Sequence, residues 1–383
     1  MIRDEVLKRG AAWVAEGRPS AVATIVRIFG SSSEPLGARM VATEEDFHGA
    51  VSGGCVETDV RESAREVISS GTAQMLHYDQ VEDADLDVGL NCEGAIDVLV
   101  EPLTPELSAF LQPGVTRVNL TVCTPGAPRK PHVWHGWIDR PGAAAAAGTA
   151  ATDIGTIDTA ATDTARPEAG EAQDDGVPPG IEKNRDTLSS IVAATTLDLG
   201  NGRIALAEPM LPPRYLLIFG AHDIAAPLSR LAGVMGFRTV VSDPRADYAR
   251  ATRFPDADEV VTGWPHQVLK RYEPDARTAV VSLNHEPRFE DDLVHTLCAY
   301  PEVAYIGAIG KPQRRAERLD RARETGVDLS VLPRIHTPVG LDLGGKEPEH
   351  IALSIVSEIL AVEHGRTGRP LLETASAPKS SFA

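Results

Sequence analysis

The stretch VSGGCVETD, residues 51–59, places a thiol where a thiol can react. Gly53 and Gly54 lead directly into a helical pattern, which puts Cys55 at or near a helix N-terminus. Unpaired N–H groups and the positive end of the helix dipole favour a thiolate at such a position. Two glycines also leave room for a ligand to approach the backbone, so Cys55 reads as a reactive thiol beside an anion site. The same pattern fits a small apolar residue at a tight strand-to-helix turn, and both readings stay open. Upstream, GSSSEPLGARM is a turn-rich loop; its Arg39 either supplies a cation to the same pocket or ends a solvated hairpin. Downstream, VGLNCEGAIDV sets Cys92 between glycines just before a strand, and a second glycine-flanked cysteine suggests a shared site.

A second constellation lies in YLLIFGAHDIAAPLSRLAGVMGFRTVVSDP, residues 215–244. An apolar strand runs into Gly220, then a helix, then a second strand ending in Asp243, which is the outline of a dinucleotide-binding βαβ unit. Gly220 supplies the first glycine of the fingerprint, Ala225 serves as the third, and Asp243 stands at the expected strand end about 20 residues on. His222 occupies the place of the second glycine, where the phosphates need bare backbone. The fold is therefore expected and dinucleotide binding is not, although His222 could act as a phosphate donor in place of the backbone.

Two weaker patterns follow. In YIGAIGKPQRRAERL, a strand carries Gly307 and ends near Gly310, and Lys311, Arg314 and Arg315 open the next stretch. Helix N–H groups with such cations form a phosphate site, or else the basic outer face of an amphipathic helix. The loops SLNHEPRFEDD and RIHTPVGLDLGG bring His285, His336 and Asp342 toward the carboxyl edge of the same sheet, where a lone histidine serves as support or as ligand. His132 and His135 in HVWHGW are spaced i, i+3, a weak metal signal in a strand or loop.

The elements that must position these residues divide the chain of 383 residues into α/β parts. Residues 1–140 read as a small N-terminal α/β or α+β domain, with β-rich runs at SAVATIVRIFG, RMVATEEDFHGAV and AIDVLVEPL. Between them Val56, Val60, Ala64, Val67 and Ile68 share one helical face, and Gly71 is a C-terminal stop. Residues 141–182 are rich in Ala, Thr, Asp and Gly, too poor in large apolar side chains to offset the entropy of ordering them, and are expected to be a flexible insertion. Residues 183–211 complete the first domain and connect to 212–370, a Rossmann-like doubly wound domain; 371–383 form a tail. Its strands are expected at 216–220, 238–243, 259–261, 279–283 and 303–309, with a last helix over 348–364.

The formal net charge of −18 and the absence of any basic run argue against nucleic acid and anionic membranes as partners. The opening MIRDEVLKRGAAWVAEG reads as an amphipathic helix and not as a signal peptide. No apolar run approaches the roughly 20 residues of a membrane span. Four scattered cysteines, Cys55, Cys92, Cys123 and Cys298, include no CxxC pair, which fits a reduced cytoplasmic protein without a disulfide framework.

Taken together, GARM, SGGCVE, GLNCEG, IDVLVEPL, PPRYLLIFGA, FRTVVSDPR, RFPDADEVV, LNHEPRFED, AYIGAIG, RIHTPVGLDLG and PEHIALSIVSEIL resemble the XdhC/CoxI family. The likeness covers nearly the whole chain outside the Ala/Thr-rich segment. The family comprises accessory proteins of molybdenum hydroxylases of the xanthine dehydrogenase and carbon monoxide dehydrogenase type. The resemblance implies binding of the molybdenum cofactor (molybdopterin), support of its sulfuration, and delivery to an apo-hydroxylase. It further implies a homodimer and a cysteine desulfurase as a second partner. Cys55 resembles the cysteine of the family's SGGC and would contact molybdenum or carry sulfane sulfur; Cys92 resembles that of a GxxCGG-type loop. Arg39, Gly53 and Gly54 would hold the cofactor with Cys55. Gly220, His222, Asp243, His285, Gly307, Gly310, Lys311, Arg314 and His336 are the corresponding candidates in the second domain. The chain departs from the family pattern at Gly220-Ala221-His222-Asp223, where Gly-Ala-Gly-His is common, and at Glu93, where a glycine is common. Four cysteines are too few for two iron–sulfur clusters of four ligands each, so an accessory role is expected rather than that of the hydroxylase. The alternative is an NAD(P)-binding oxidoreductase built on the second domain.

Overall fold

The structure is a computed structural model that describes residues 2–79, 94–112, 116–124, 131–139, 154–157, 177–178, 180–191, 193–211, 213–311, 320, 321, 324 and 334–374. Two compact units divide it, Met1–Pro212 and Pro213–Ala383.

The first unit carries two five-stranded sheets, antiparallel at every pairing. In the first sheet, β1 (Ala21–Gly30) lies centrally, flanked by β2 (Arg39–Ala42) with β3 (Phe47–Gly49), and by β5 (Gly94–Pro102) with β4 (Gln74–Tyr78). Strand β1 is buried on both faces over its first six residues. Ala21, Ala23 and Ile25 meet Val60, Ala64 and Val67 of α2 (Glu57–Ser70). Val22 instead packs with Val6, Trp13 and Phe110 from α1 (Ile2–Ala15) and α3 (Pro105–Leu111). The period of two along a strand sends alternate residues to opposite layers. Gly71 ends α2 in the left-handed region at φ 66°, as the sequence pattern predicts.

The second sheet was not expected from the sequence. It comprises β6 (Arg117–Cys123), β7 (Val133–Asp139), β8 (Ile154–Ile157), β9 (Thr195–Gly200) and β10 (Arg203–Met210), in the order β8-β7-β6-β10-β9. Strand β8 falls inside the Ala/Thr/Asp-rich segment; the remainder of residues 141–176 lies outside the described residues. Strands β9 and β10 are joined by Asn201 and Gly202, both at positive φ (53° and 71°). That is the two-residue turn whose twist matches a hairpin.

A polar seam accompanies the apolar cluster of Val26, Leu99, Cys123 and Leu206 in this unit. Arg39 on β2 forms a forked ion pair with Glu208 on β10, with Nη1 to Oε1 at 2.9 Å and Nη2 donating to Oε2. Gly37 permits the approach, since a Cβ there would sit 2.6 Å from Glu208 Oε1. In the same unit His135 lies 2.8 Å from Glu101 through Nε2 and 3.2 Å from the Thr121 hydroxyl through Nδ1, and the side chain is buried.

The second unit is a six-stranded parallel sheet: β11 (Arg214–Phe219), β12 (Phe237–Asp243), β13 (Glu259–Thr262), β14 (Ala279–Ser282), β15 (Tyr305–Ala308) and β16 (Ile335–His336). Its order is β13-β12-β11-β14-β15-β16, which is the doubly wound 3-2-1-4-5-6 arrangement. The helices α4 (Ala225–Val234) and α7 (Pro348–Glu363) cover one face, and α5 (Pro265–Tyr272) with α6 (Pro287–Leu297) the other. Burial on both faces explains why these strands read as unbroken apolar runs. The strand order reverses between the parallel neighbours β11 and β14, so the loops after those two strands diverge at the switch point where ligands gather in such sheets.

The Arg39–Glu208 pair is buried on both sides, so removing one partner strands the other's charge. Arg39→Met or Glu208→Leu alone should each lower stability by about 3–5 kcal/mol. The double substitution should recover most of that loss, as read by urea unfolding in a double-mutant cycle.

Candidate functional site

The turn before α2 is organised by Glu57. Its carboxylate accepts hydrogen bonds from the amides of Val51 (3.1 Å), Ser52 (2.8 Å) and Gly54 (2.8 Å), and from the Ser52 hydroxyl (2.5 Å). With its proton directed at Glu57, the Ser52 oxygen accepts from the amides of Cys55 and Val56, both at 2.9 Å. Ser33 Oγ donates to the Ser52 carbonyl at 2.6 Å and ties down the opposite side. Gly53 and Gly54 sit at φ 69° and 118°, values that admit glycine with least strain. Burial alone would push the Glu57 carboxyl up, but the bonds from the Ser52 hydroxyl and the Ser52 and Val51 amides outweigh it. They hold the group below the ordinary carboxylate range.

Gly53, Gly54 and Cys55 are all exposed beyond this frame. A Cβ at Gly54 would meet nothing within 4 Å, so the space over Gly54 is open, whereas one at Gly53 would lie 3.6 Å from Ser33 Oγ. The thiol is thus presented on a fixed turn, while the N–H groups of Val51, Ser52 and Gly54 already serve Glu57. Arg39 is committed to Glu208 and buried. Cys92 lies outside the described residues. Cys123 is a different kind of thiol: burial first, then the Glu101 and Asp97 charges, push it up to about 12 against the pull of Arg27. Sequence reasoning missed Glu57 and Ser52, although an acidic residue in the first helical turn after a serine-glycine run is a readable capping signal.

In the second unit Gly220, His222, Asp243 and His285 come together at the switch point. Gly220 has φ 113°, and a Cβ on it would lie 3.1 Å from the Asn284 amide nitrogen and 3.2 Å from His222 Cδ2. Asp243 is fully buried and bound on every side. It accepts Arg245 Nε and Nη2 at 2.8 Å each, the Arg245 amide at 3.0 Å and the Ala221 amide at 3.1 Å. Burial opposes its ionisation, and the bonds from Arg245 and Ala221 more than reverse this, so its carboxyl titrates below the usual range. His222 is shifted down as well, chiefly by burial and by the neighbouring Arg245, with His285 adding to them against Asp243 and Asp223. Arg245, two positions beyond the expected carboxylate, is a residue that the βαβ pattern alone does not single out.

His336 and Gly307 are engaged by their own neighbours in the sheet. His336 stacks on Tyr305 with ring centroids 4.8 Å apart and approaches Glu358 at 3.3 Å. Glu358 also accepts the Tyr305 hydroxyl and the Gly340 amide. Gly307 leaves space for Val339 and the Tyr305 ring, which a Cβ would meet at 2.5 and 2.8 Å. Gly310 has φ 155°, Lys311 and Asp342 are exposed, and Arg314 lies outside the described residues. His132 is exposed whereas His135 is buried, so the i, i+3 pair does not converge. Among the described residues no group of three or more His, Cys, Asp and Glu side chains is arranged to hold a metal ion, and no helix is long and apolar enough to cross a membrane.

Residues 13–79, which carry the Cys55 turn, match the XdhC and CoxI family, and residues 216–359 match the XdhC Rossmann domain. The chain belongs to the XdhC and CoxI family. A probable xanthine dehydrogenase subunit of Bacillus subtilis is 26% identical over 354 residues, covering 91% of this chain and 94% of that protein. The molybdenum cofactor insertion chaperone PaoD of Escherichia coli is 22% identical over 358 residues, 93% of this chain and 87% of PaoD. The crystal structure of a xanthine dehydrogenase from Bacillus halodurans superposes with a TM-score of 0.70 at 25% identity, covering 99% of both chains.

Two outcomes are expected here. Glu57→Ala leaves three amides and a hydroxyl to water, so the turn should loosen; a stability loss of about 1–3 kcal/mol should accompany faster protease cleavage near Gly53. The second concerns pH. Folding shifts His222 down, so its contribution is complete above the ordinary histidine value of about 6.5 and is lost as pH falls from there through its lower folded value. Asp243, Glu57 and Glu358 contribute above their ordinary carboxylate values and lose that contribution only at more acid pH, through their lowered folded values. The melting temperature should therefore fall first below about pH 6.5, and His222→Gln should flatten that first arm alone in calorimetric scans.

Proposed function

We propose that this protein holds the molybdenum cofactor at Cys55 and passes it to an apo-hydroxylase of the xanthine dehydrogenase or carbon monoxide dehydrogenase type. The observation that carries the reading is the exposed thiol at Gly53-Gly54, fixed from behind by Glu57 and Ser52. A soft thiol next to the open Gly54 suits the metal-dithiolene end of such a cofactor. The phosphate end finds a poorer match, because the donors of Val51, Ser52 and Gly54 already face Glu57 and Arg39 faces Glu208. Family membership and the similarity to an insertion chaperone support the same role.

When bound, the cofactor supplies the redox-active metal that the client enzyme uses. This chain's own residues retain it: Cys55 as the contact, Gly53 and Gly54 as the clearance, Glu57 as the brace that keeps the thiol in one place. Sulfuration of the cofactor, with a cysteine desulfurase as sulfur donor, belongs to the same proposal. So does the shared use of Cys92.

The test is anaerobic. The full chain is mixed with molybdenum cofactor, freed of unbound ligand and oxidised, and the pterin fluorescence is read. Stoichiometric fluorescence is expected from the parent and from Cys298→Ser, with a loss of most of it in Cys55→Ser. Equal retention by Cys55→Ser would remove the thiol from the reading. No retention by the parent, where PaoD retains cofactor, would remove the carrier role.

A further inference from the structure

A dinucleotide bound to a βαβ unit lays its pyrophosphate on bare backbone just past the first glycine and gives its ribose diol to a carboxylate at the end of the second strand. In this chain both places are filled from within. We infer that the turn at Gly220 is a dinucleotide site closed by two of the protein's own side chains, His222 over the pyrophosphate position and Arg245 on the ribose carboxylate. The closure is independent of the cofactor role at Cys55 and goes beyond it.

The first closure is steric. The Cδ2 edge of His222 lies back against Gly220, 3.2 Å from where a Cβ would project, and its Nε2 is buried without a hydrogen-bond partner. The ring is therefore held by the shape of the turn. That shape is braced from below: the His222 amide donates to the Gly220 carbonyl at 2.9 Å, and Arg253 Nη1 donates to the Ala221 carbonyl at 3.0 Å. A pyrophosphate cannot approach the Gly220 backbone while the imidazole lies there.

The second closure is electrostatic. Asp243 has no exposed surface and receives a forked guanidinium. Arg245 is held in turn by the Tyr248 ring, 3.8 Å from its Cζ. A neutral ribose diol brings hydrogen-bond donors to the carboxylate but no opposite charge, which the forked guanidinium it would displace does bring. The strand order and the crevice have been kept, while the two contacts that recognise this ligand class have been turned inward.

The experiment is a gain of binding. The full chain, His222→Gly, Arg245→Ala and the double variant are titrated with NADH by fluorescence, with circular dichroism confirming the fold of each. No saturable binding is expected from the parent up to about 1 mM. The double variant should bind saturably, at least about tenfold more tightly than the parent limit, with His222→Gly showing part of the gain. Saturable binding by the parent that the substitutions weaken would make His222 and Arg245 ligands and overturn the inference. A folded double variant without gain would also overturn it. If the double variant does not fold, absence of gain in folded His222→Gly decides the same way.

Discussion

Three carboxylates in this protein draw their hydrogen bonds from within the chain, and that internal pairing shapes the places where a ligand would be expected. Glu57 gathers the amides of Val51, Ser52 and Gly54. Arg245 and the Ala221 amide saturate Asp243. Glu358 collects His336, Tyr305 and Gly340. Unpaired groups in such positions are costly. The turns that look open in a sequence motif are therefore occupied, and what remains on offer is whatever projects past the occupied donors.

At the Cys55 turn the residue that projects is a thiol. Its amide is fixed by Ser52, whose hydroxyl is in turn oriented by Glu57, so the cysteine rides on a frame that glycines alone would leave loose. Cys123 shows the contrast within the same unit: buried among Leu99, Ile204 and Leu206, it packs as a small apolar side chain. One thiol is exposed on a turn and the other is packed in the core, so the two differ in burial.

Much of the fold was legible in advance. The helix at Glu57–Ser70, its glycine stop and five of the six parallel strands follow from period and punctuation, because those signals are local. The short strand Ile335–His336 escaped notice since two residues carry no period. The second sheet escaped for another reason. Its strands are interrupted by a segment of unsuitable composition, and the Asn201-Gly202 turn that announces the hairpin is a signal of only two residues. Candidate residues fared unevenly. Gly220, His222, Asp243 and His285 do converge, whereas Arg39 and His336 are committed to Glu208 and Glu358.

Local chemistry, then, was the sequence's own: an exposed turn with a thiol after two glycines, a βαβ unit with a histidine in place of its second glycine, and the family to which both belong. Which charges would be available to a ligand was decided only by tertiary structure. Glu208 lies 169 residues from Arg39, and nothing local marks the two as partners. An ion pair forms where folding removes two opposite charges from water together, and the identity of that second charge depends on which strands the sheets bring face to face.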